Sequence, residues 1–366
     1  MTRMNEQAGH QPLLGFHLEY IQFINEDSEW VAERPSFATD EWLLKAYEYM
    51  VLCRVFDQKA VALQRTGQLG TFPSALGQEA FSVAVGLELQ GADVFVPYYR
   101  DHGTHLLRGG DNAMSNLLSY WGGDESGSSY GPAQDFPVCV PIATQITHAA
   151  GAAAALKIKG SDQLVMVTIG DGGTSKGDFF ESLNVAGVWQ LPLVILVNNN
   201  QYAISVSRDK QCGAQTLAQK AIGAGVQGIQ VDGNDVLAVS QAISEARTRA
   251  KEHKGATLIE AITYRLGDHT TADDASRYRS AQEVKQAWLK EPIKRLQTLL
   301  NNLNLWDSGK EKALQELSSN LVEAQVEMYL KTPAASAQSM FDHLYRDWPD
   351  VMNEQLDMLA DKLERK

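Results

Sequence analysis

Two short polar motifs could together hold a metal ion and a phosphate. Asp171 lies within the sequence Gly-Asp-Gly-Gly at residues 170–173, directly after an apolar run, and Asn200 closes a second apolar run 29 positions later. Carboxylate and amide oxygens suit Mg²⁺, which often shares its coordination with substrate phosphates. Glycines let a backbone approach a phosphate and point its N–H groups at it. The pattern predicts a cradle for a metal and a diphosphate group.

The elements around these motifs predict a doubly wound, mostly parallel α/β sheet flanked by helices. Apolar runs at 164–169 and 194–197 enclose a helical segment at 178–189, which is the pattern of a right-handed βαβ unit. Because the carboxyl ends of parallel strands meet at one edge of the sheet, Asp171 and Asn200 should lie there. Further strands are predicted at 93–97, 229–231 and 257–264, and further helices at 43–66, 74–88, 146–158, 216–222 and 236–253, the first of them capped by Asp40.

The chain divides by pattern into three parts. Residues 1–38 form a polar N-terminal arm with one strand-like piece at 16–24. Residues 39–279 form an α/β domain, and residues 280–366 form a helical C-terminal extension of that domain. The segment 122–135 is rich in glycine and serine, and its length predicts a functional loop rather than a simple turn.

Composition and charge argue against several classes of protein. The net charge of −13 disfavours nucleic acid and anionic membrane surfaces as main partners. Cys53, Cys139 and Cys212 form no CxxC pair, which predicts a reducing compartment and no zinc site. Residues 1–14 lack the apolar core of a signal peptide, and no apolar run approaches the roughly 20 residues that span a bilayer. These features predict a cytoplasmic protein.

Two further groups have more than one interpretation. Tyr99 and Arg100 follow the predicted strand at 93–97, where the guanidinium group could bind phosphate or pair with Asp101. His102 and His105 have a spacing that a metal could use. Without a third ligand, a solvated or capping role is favoured for both.

Two other motifs carry little weight by themselves. Residues 223–228 match GxGxxG, but they follow a predicted helix and precede a strand, the reverse of the dinucleotide-binding order, so a turn is predicted. The chain contains no Walker P-loop sequence. His269 lies in a polar loop at 267–279, where a lone histidine among charged residues is usually solvated.

Longer stretches around these residues carry a family resemblance. The chain resembles the α subunit of the decarboxylating component of 2-oxo acid dehydrogenase complexes in GDGGTSKGDFFESLN, NNNQYAIS, VDGNDVLAV, YRLGDHTTADDASRYRS, PIATQI and PYYRDHG. Within these stretches, GDG at 170–172 followed by NN at 199–200 matches the thiamine diphosphate motif. The likeness runs from about residue 40 to about residue 350. It implies the thiamine-diphosphate-binding fold and oxidative decarboxylation of a 2-oxo acid, with transfer of the acyl group to a lipoyl group.

The resemblance implies roles for individual residues. Asp171, Asn200 and the backbone carbonyl of Tyr202 would bind Mg²⁺, and His269 would orient the cofactor and assist acyl transfer. Some relatives bind a structural K⁺ ion at the positions of Pro141, Thr144 and Gln145. The residues that would contact thiamine diphosphate are Tyr99 and Arg100 (diphosphate), Val140 and Ile142 (aminopyrimidine), Gly170, Asp171, Gly172, Gly173, Asn200, Tyr202, Ala203 and His269.

Two positions depart from the family pattern. Relatives that are regulated by phosphorylation carry serine directly after the histidine, whereas this chain has Thr270, so kinase control is not implied. Asn198 replaces a charged residue found in several relatives, which implies altered phosphate contacts.

The resemblance also implies partners. In this family the glutamate that activates thiamine diphosphate comes from a separate pyrimidine-binding domain, and this chain has room for only one α/β domain. A heterotetramer of two α and two β chains is implied, inactive as α alone and serving a lipoyl-bearing acyltransferase core. The alanine-rich helix at 146–158 is small on every face, which predicts close packing at an α–α or α–β contact.

Two substrates are open at this point. GDGGTSKGDF and TLAQKAIGAGVQGIQVDG resemble bacterial pyruvate enzymes, whereas PIATQI and VDGNDV resemble branched-chain enzymes, which act on 3-methyl-2-oxobutanoate. Pyruvate is the first choice. A non-catalytic subunit that retains the fold is a further alternative, which the presence of Asp171 and Asn200 disfavours.

Overall fold

A six-stranded parallel sheet forms the centre of the fold in the computed structural model, which describes residues 15–123, 131–333, 336–342 and 344–364. The strands of the described residues, of which all but β5 and β6 belong to this sheet, are β1 (Glu19–Ile21), β2 (Val94–Val96), β3 (Val165–Gly170), β4 (Leu193–Asn199), β5 (Tyr202–Ala203), β6 (Val206–Ser207), β7 (Gln227–Asp232) and β8 (Thr257–Ile262). The order in the sheet is β1-β7-β8-β4-β3-β2, and all neighbours are parallel. β5 and β6 form a small antiparallel hairpin. The predicted doubly wound α/β fold is confirmed.

Helices cover both faces of this sheet and make up the C-terminal part of the chain. They are α1 (Asp40–Arg65), α2 (Glu79–Glu88), α3 (His102–Arg108), α4 (Ala113–Trp121), α5 (Thr144–Ile158), α6 (Gly177–Val188), α7 (Arg208–Gln211), α8 (Val236–Lys251), α9 (Ala281–Trp288), α10 (Pro292–Asn302), α11 (Ser308–Lys331) and α12 (Asp350–Glu364). None of the helices in the described part of the chain combines the length and apolar character that crossing a membrane requires.

Two helix starts differ from prediction. The N-cap of α1 is Thr39, not Asp40, because Thr39 has an extended backbone and its hydroxyl accepts a hydrogen bond from the Trp42 N–H at 3.1 Å. The helix predicted at 74–88 begins only at α2, because the preceding residues form a turn through Gly77, whose φ is +87°.

Strand β4 shows why the apolar runs are continuous. All seven of its residues are buried. Val194 and Leu196 pack into the core beneath α1, α2, α8 and α10, whereas Ile195 and Val197 pack into the core beneath α5 and α6. Since both faces of the strand are covered, alternation between polar and apolar residues is lost.

The strand predicted in the N-terminal arm belongs to the sheet of this chain. β1 pairs with β7, and Asp235 accepts hydrogen bonds from the backbone N–H groups of Phe23 and Ile24 at 2.7 and 2.9 Å. The predictions for residues 1–14, and for residues 124–130 of the loop at 122–135, concern residues outside those that the structure describes.

The alanine-rich helix α5 is closely packed on one face only. Ile146, Ala149 and Ala153 are buried against β3 and α6. Gly151 and Ile158 on the other face are exposed, so the expected burial of every face is not met within this chain.

Candidate functional site

A cavity of about 210 Å³ lies at the carboxyl edge of the sheet, where β3 and β4 end. Most of the residues implied by the resemblance meet there, although they come from distant parts of the chain. Those that line the cavity are Tyr99, Arg100, Ile142, Gln145, Gly170, Asp171, Gly172, Gly173, Asn200, Tyr202, Ala203 and His269. The lining does not include Val140, Pro141 or Thr144.

Asp171 is a buried carboxylate with one oxygen left open to a ligand. Its carboxylate is buried, and Oδ2 has no hydrogen-bond partner among the described residues. Burial raises the pKa of Asp171 to about 6, against the lowering effect of its own backbone N–H, the Asn200 N–H and the cations Arg265 and Arg100. A buried acceptor without a donor is costly unless a ligand completes it. A metal ion at this oxygen would do so.

Two glycines of the motif are required by packing. A Cβ atom at Gly172 would lie 2.7 Å from the Ala203 Cβ, and one at Gly173 would lie 2.6 Å from the Ile169 Cδ1. At Gly170 a Cβ would have room, since its nearest contact would be at 3.8 Å. The backbone from Asp171 to Ser175 forms a 3₁₀ turn, which the sequence did not predict, and leads into the N-terminus of α6. A helix N-terminus suits an anion, because the N–H groups of the first turn have no partner within the helix.

The three consecutive asparagines have different surroundings. Asn198 and Asn199 are buried, and their side-chain amides donate to the Tyr98 hydroxyl at 2.9 Å and to Glu260 Oε1 at 2.7 Å. Only Asn200 among the three lines the cavity. The replacement at Asn198 therefore affects the support of the cavity wall and not its lining.

Arg100 and Arg265 hold His269 in a defined state. Arg100 Nη2 lies 3.0 Å from His269 Nδ1 and Arg265 Nη1 lies 3.1 Å from it. Because a guanidinium group can only donate, Nδ1 is the acceptor and the ring proton is on Nε2. Burial and these two cations lower the pKa of His269 to about 3. The ring is therefore neutral and donates from Nε2.

Arg265 is the main site residue that sequence reasoning missed. It is fully buried, and its guanidinium donates to the Ile204 carbonyl and the Tyr278 hydroxyl, both at 2.8 Å. In the described part of the chain, neither Arg100, Arg265 nor the nearby Arg279 forms an ion pair with a carboxylate. Buried cations without counterions favour an anion at this place. A signal existed, because Arg265 follows the predicted strand at 257–264, at the same sheet edge.

The segment after β4 is bent around the cavity. Gln201 and Ile204 have φ values of +74° and +55°, a left-handed conformation that is strained for residues other than glycine. Between them, the Tyr202 carbonyl accepts a hydrogen bond from Arg265 Nη1 at 3.3 Å. A carbonyl oxygen has two lone pairs, so this bond leaves one for a metal ion.

The expected potassium residues lie around the start of α5. Gln145 is buried and donates from Nε2 to the Thr168 carbonyl at 3.0 Å, while its Oε1 has no partner in the described residues. The Pro141 carbonyl accepts from the Cys139 thiol at 3.1 Å. The structure shows carbonyl and amide oxygens here, and potassium binding stays a prediction.

Two alternative interpretations are resolved by the structure. Residues 223–228 form a turn into β7, as predicted, with Gly225 at a φ of +68°. His102 and His105 are both buried, so a solvated role is wrong for either of them. The His102 ring stacks on Phe72 at 4.9 Å, and burial lowers the pKa of His105 to about 3. Among described residues, no cluster of three metal-ligating side chains is found.

Comparisons with known proteins identify the family of the chain. Residues 47–338 match the family model described as "Dehydrogenase E1 component". The chain is 38% identical over 348 residues to the "Pyruvate dehydrogenase E1 component subunit alpha" of Staphylococcus aureus (strain Mu50 / ATCC 700699), covering 94% of this chain and 93% of the relative. It is 36% identical, with the same coverage, to the protein of that name from Staphylococcus epidermidis (strain ATCC 12228 / FDA PCI 1200). The family resemblance seen in the sequence is confirmed. The chain belongs to the dehydrogenase E1 component family.

Proposed function

We propose that this chain is the α subunit of a pyruvate dehydrogenase E1 component. One observation carries the proposal: the unpartnered carboxylate oxygen of Asp171 lies at a cavity that Arg100 also lines, and neither Arg100 nor the nearby Arg265 has a carboxylate counterion in the described residues. A carboxylate next to guanidinium groups without counterions suits a magnesium diphosphate, because the metal ion is positive and the diphosphate is negative. The family is thiamine-diphosphate dependent, and its members are oxidoreductases that act on 2-oxo acids.

The residues of this chain would bind and orient the cofactor. Asp171 Oδ2, the Asn200 side-chain oxygen and the Tyr202 carbonyl would ligate Mg²⁺, and Arg100 would contact the diphosphate. Backbone groups of Val140 and Ile142 would hold the aminopyrimidine, and Pro141, Thr144 and Gln145 would hold K⁺. Bound thiamine diphosphate would supply the chemistry of decarboxylation and acyl transfer.

His269 would act as a fixed hydrogen-bond donor. Its Nδ1 is occupied by two guanidinium groups, so the proton that it can present is on Nε2. A neutral imidazole in that tautomer would hold a proton close to the reacting carbonyl and stabilise negative charge there. This role matches the assistance to acyl transfer that the resemblance implies.

The chain would work only with partners. Val140 and Ile142, at the cavity side of the fold, are 48% and 46% exposed, which supports a second protein chain as their cover. We infer a heterotetramer of two α and two β subunits that delivers acyl groups to a lipoyl-bearing acyltransferase core. A cytoplasmic location fits the three cysteines, all of which are free.

The proposal is tested on the protein assembled with its β chain. Calorimetric titration should show Mg²⁺-dependent binding of thiamine diphosphate that Asp171→Ala abolishes and Asp357→Ala, an exposed aspartate on α12, preserves. A decarboxylation assay should favour pyruvate over 3-methyl-2-oxobutanoate. Binding that survives Asp171→Ala would refute the metal site, and a preference for the branched substrate would replace pyruvate by the alternative.

A further inference from the structure

The side chain of Gln78 makes a contact across the fold that its local structure does not require. Gln78 occupies the N-cap position of α2, yet its side chain makes no capping hydrogen bond. Instead, Gln78 Oε1 accepts a hydrogen bond from Asn200 Nδ2 at 3.1 Å, across 122 residues of sequence. Both side chains are buried. The contact therefore joins the start of α2 to the end of β4, at the cavity wall.

Gln78 carries an energetic cost at this position. Its Nε2 is buried and has no partner among the described residues. An orphaned buried donor costs roughly 1–3 kcal/mol, and an apolar side chain of the same size would avoid that cost. A residue that is unfavourable for stability alone and bonds to a cavity-lining amide is a candidate for a positioning role.

The backbone on either side of Gln78 is firmly anchored. A Cβ atom at Gly77 would lie 2.5 Å from the Tyr264 carbonyl oxygen, so the chain passes directly against the end of β8. On the other side, the buried carboxylate of Glu79 forms an ion pair with Arg54 at 2.7 Å. Gln78 is therefore presented to Asn200 by a rigid segment and not by a mobile loop.

The direction of the hydrogen bond decides which atom Asn200 can offer to a metal. The Tyr202 backbone N–H, which can only donate, lies 3.3 Å from Asn200 Oδ1, and Gln78 takes Nδ2. If the Asn200 amide turned over, its NH₂ group would face the Tyr202 N–H, which is repulsive whichever way the Gln78 amide is turned. The Tyr202 N–H therefore fixes Oδ1 as the acceptor, and Gln78, which accepts from Nδ2, holds the amide in that place with the second lone pair of Oδ1 free.

We propose that Gln78 is a positioning residue for the metal site, which holds the Asn200 amide with its oxygen available to Mg²⁺. The inference rests on the proposed function, because it assumes that Asn200 is a magnesium ligand. Gln78 can have this effect only on an amide, since a carboxylate at position 200 would present an oxygen on either side. That difference separates a positioning role from a purely structural one.

The test is a double-substitution cycle on the protein assembled with its β chain. Mg²⁺ is titrated at saturating thiamine diphosphate, and bound cofactor is measured by quenching of tryptophan fluorescence. Gln78→Met should raise the Mg²⁺ dissociation constant about 5- to 10-fold, which corresponds to the loss of one hydrogen bond. In an Asn200→Asp background the same substitution should change that constant less than about twofold, because amide orientation no longer matters.

A matched control and a stability measurement complete the test. Gln325→Met also removes a buried glutamine acceptor, which bonds the Ser115 N–H at 3.2 Å, and it should leave Mg²⁺ binding unchanged. Without metal, Gln78→Met should keep its thermal midpoint within about 2 °C, because it removes one orphaned donor and creates another at Asn200 Nδ2.

The outcomes distinguish the two proposals. Weakened Mg²⁺ binding that is confined to the Asn200 background supports the positioning role. Equal weakening in both backgrounds, or none in either, overturns it while leaving the proposed function in place. If the unsubstituted protein shows no Mg²⁺-dependent binding of thiamine diphosphate, the proposed function fails and this inference falls with it.

Discussion

Asp101 is a buried carboxyl group whose protonation should be visible in the stability of the protein. Its Oδ2 accepts hydrogen bonds from the Tyr98 N–H at 2.9 Å and from the Thr168 hydroxyl, whereas Oδ1 has no partner in the described residues. Burial raises the pKa of Asp101 to about 8, and the two hydrogen bonds lower it by less. The group is therefore protonated at pH 7 in the folded chain. Asp101→Asn keeps an accepting oxygen and does not titrate.

The size of the effect follows from the difference between the folded and unfolded pKa values. The folded pKa is raised, so the stability contribution is fully present below the unfolded value of 3.8 and is lost as the pH rises toward about 8. The loss is about 1.4 kcal/mol per pH unit, or at most about 2.7 kcal/mol between pH 6 and pH 8. With an unfolding entropy of about 2.1 cal/mol/K per residue, this equals a relative fall in thermal midpoint of about 3 °C for a chain of 366 residues.

Two measurements check this expectation without requiring activity. Calorimetry at pH 6, 7 and 8 should show the midpoint of the wild type falling relative to that of Asp101→Asn, while Asp357→Asn, an exposed control, keeps a constant offset. Infrared difference spectra between wild type and Asp101→Asn should show the C=O band of a protonated carboxyl group at pH 7. Parallel midpoint curves for wild type and Asp101→Asn, or the absence of that band, would refute the reasoning.

Three further outcomes follow from the site and the core. Arg265→Lys should weaken thiamine diphosphate binding about 10-fold in a calorimetric titration, because an ammonium group cannot reproduce the fork of donors; unchanged binding would contradict the role of this buried cation. His269→Gln should leave the pH dependence of cofactor binding between pH 5 and 8 unchanged, since His269 has a pKa of about 3 and is already neutral; a step near pH 6.5 that disappears in the variant would contradict this. Gly187→Ala should destabilise the isolated chain by about 2 kcal/mol in urea unfolding, because its Cβ would lie 1.9 Å from the Ala224 carbonyl oxygen. The control Gly151→Ala, on the exposed face of α5 with open space around it, should stabilise by about 0.5–1 kcal/mol.

The placement of Asp171 and Asn200 at one cavity could be predicted because local pattern determines it. Asp171 and Asn200 each end an apolar strand, and parallel topology brings such positions to one edge of the sheet. Arg265 follows the end of β8 and reaches the same edge of the sheet by the same rule, although the sequence analysis does not single it out. The family motifs supplied most of the remaining cavity residues, but not Tyr98, Cys139, Ala143, Ile169 and Ile204.

Contacts between distant elements could not be predicted from pattern. The hydrogen bond between Gln78 and Asn200 joins two segments whose approach depends on the whole fold. The burial of His102 likewise depends on Phe72, which precedes it by 30 positions and packs through tertiary contacts. Periodicity reports which face of an element is covered but not by which other element.

The order of strands in the sheet has a consequence for how the chain folds during synthesis. β1 leaves the ribosome first, yet its only strand partner in the described sheet is β7, and Gln22 bonds to Asp232 at a separation of 210 residues. At about 5–20 residues per second, the segment waits about 10 to 40 s for its partner. β2, β3 and β4 are made before that time and are neighbours in the sheet, so they can pair while β1 still has no strand partner.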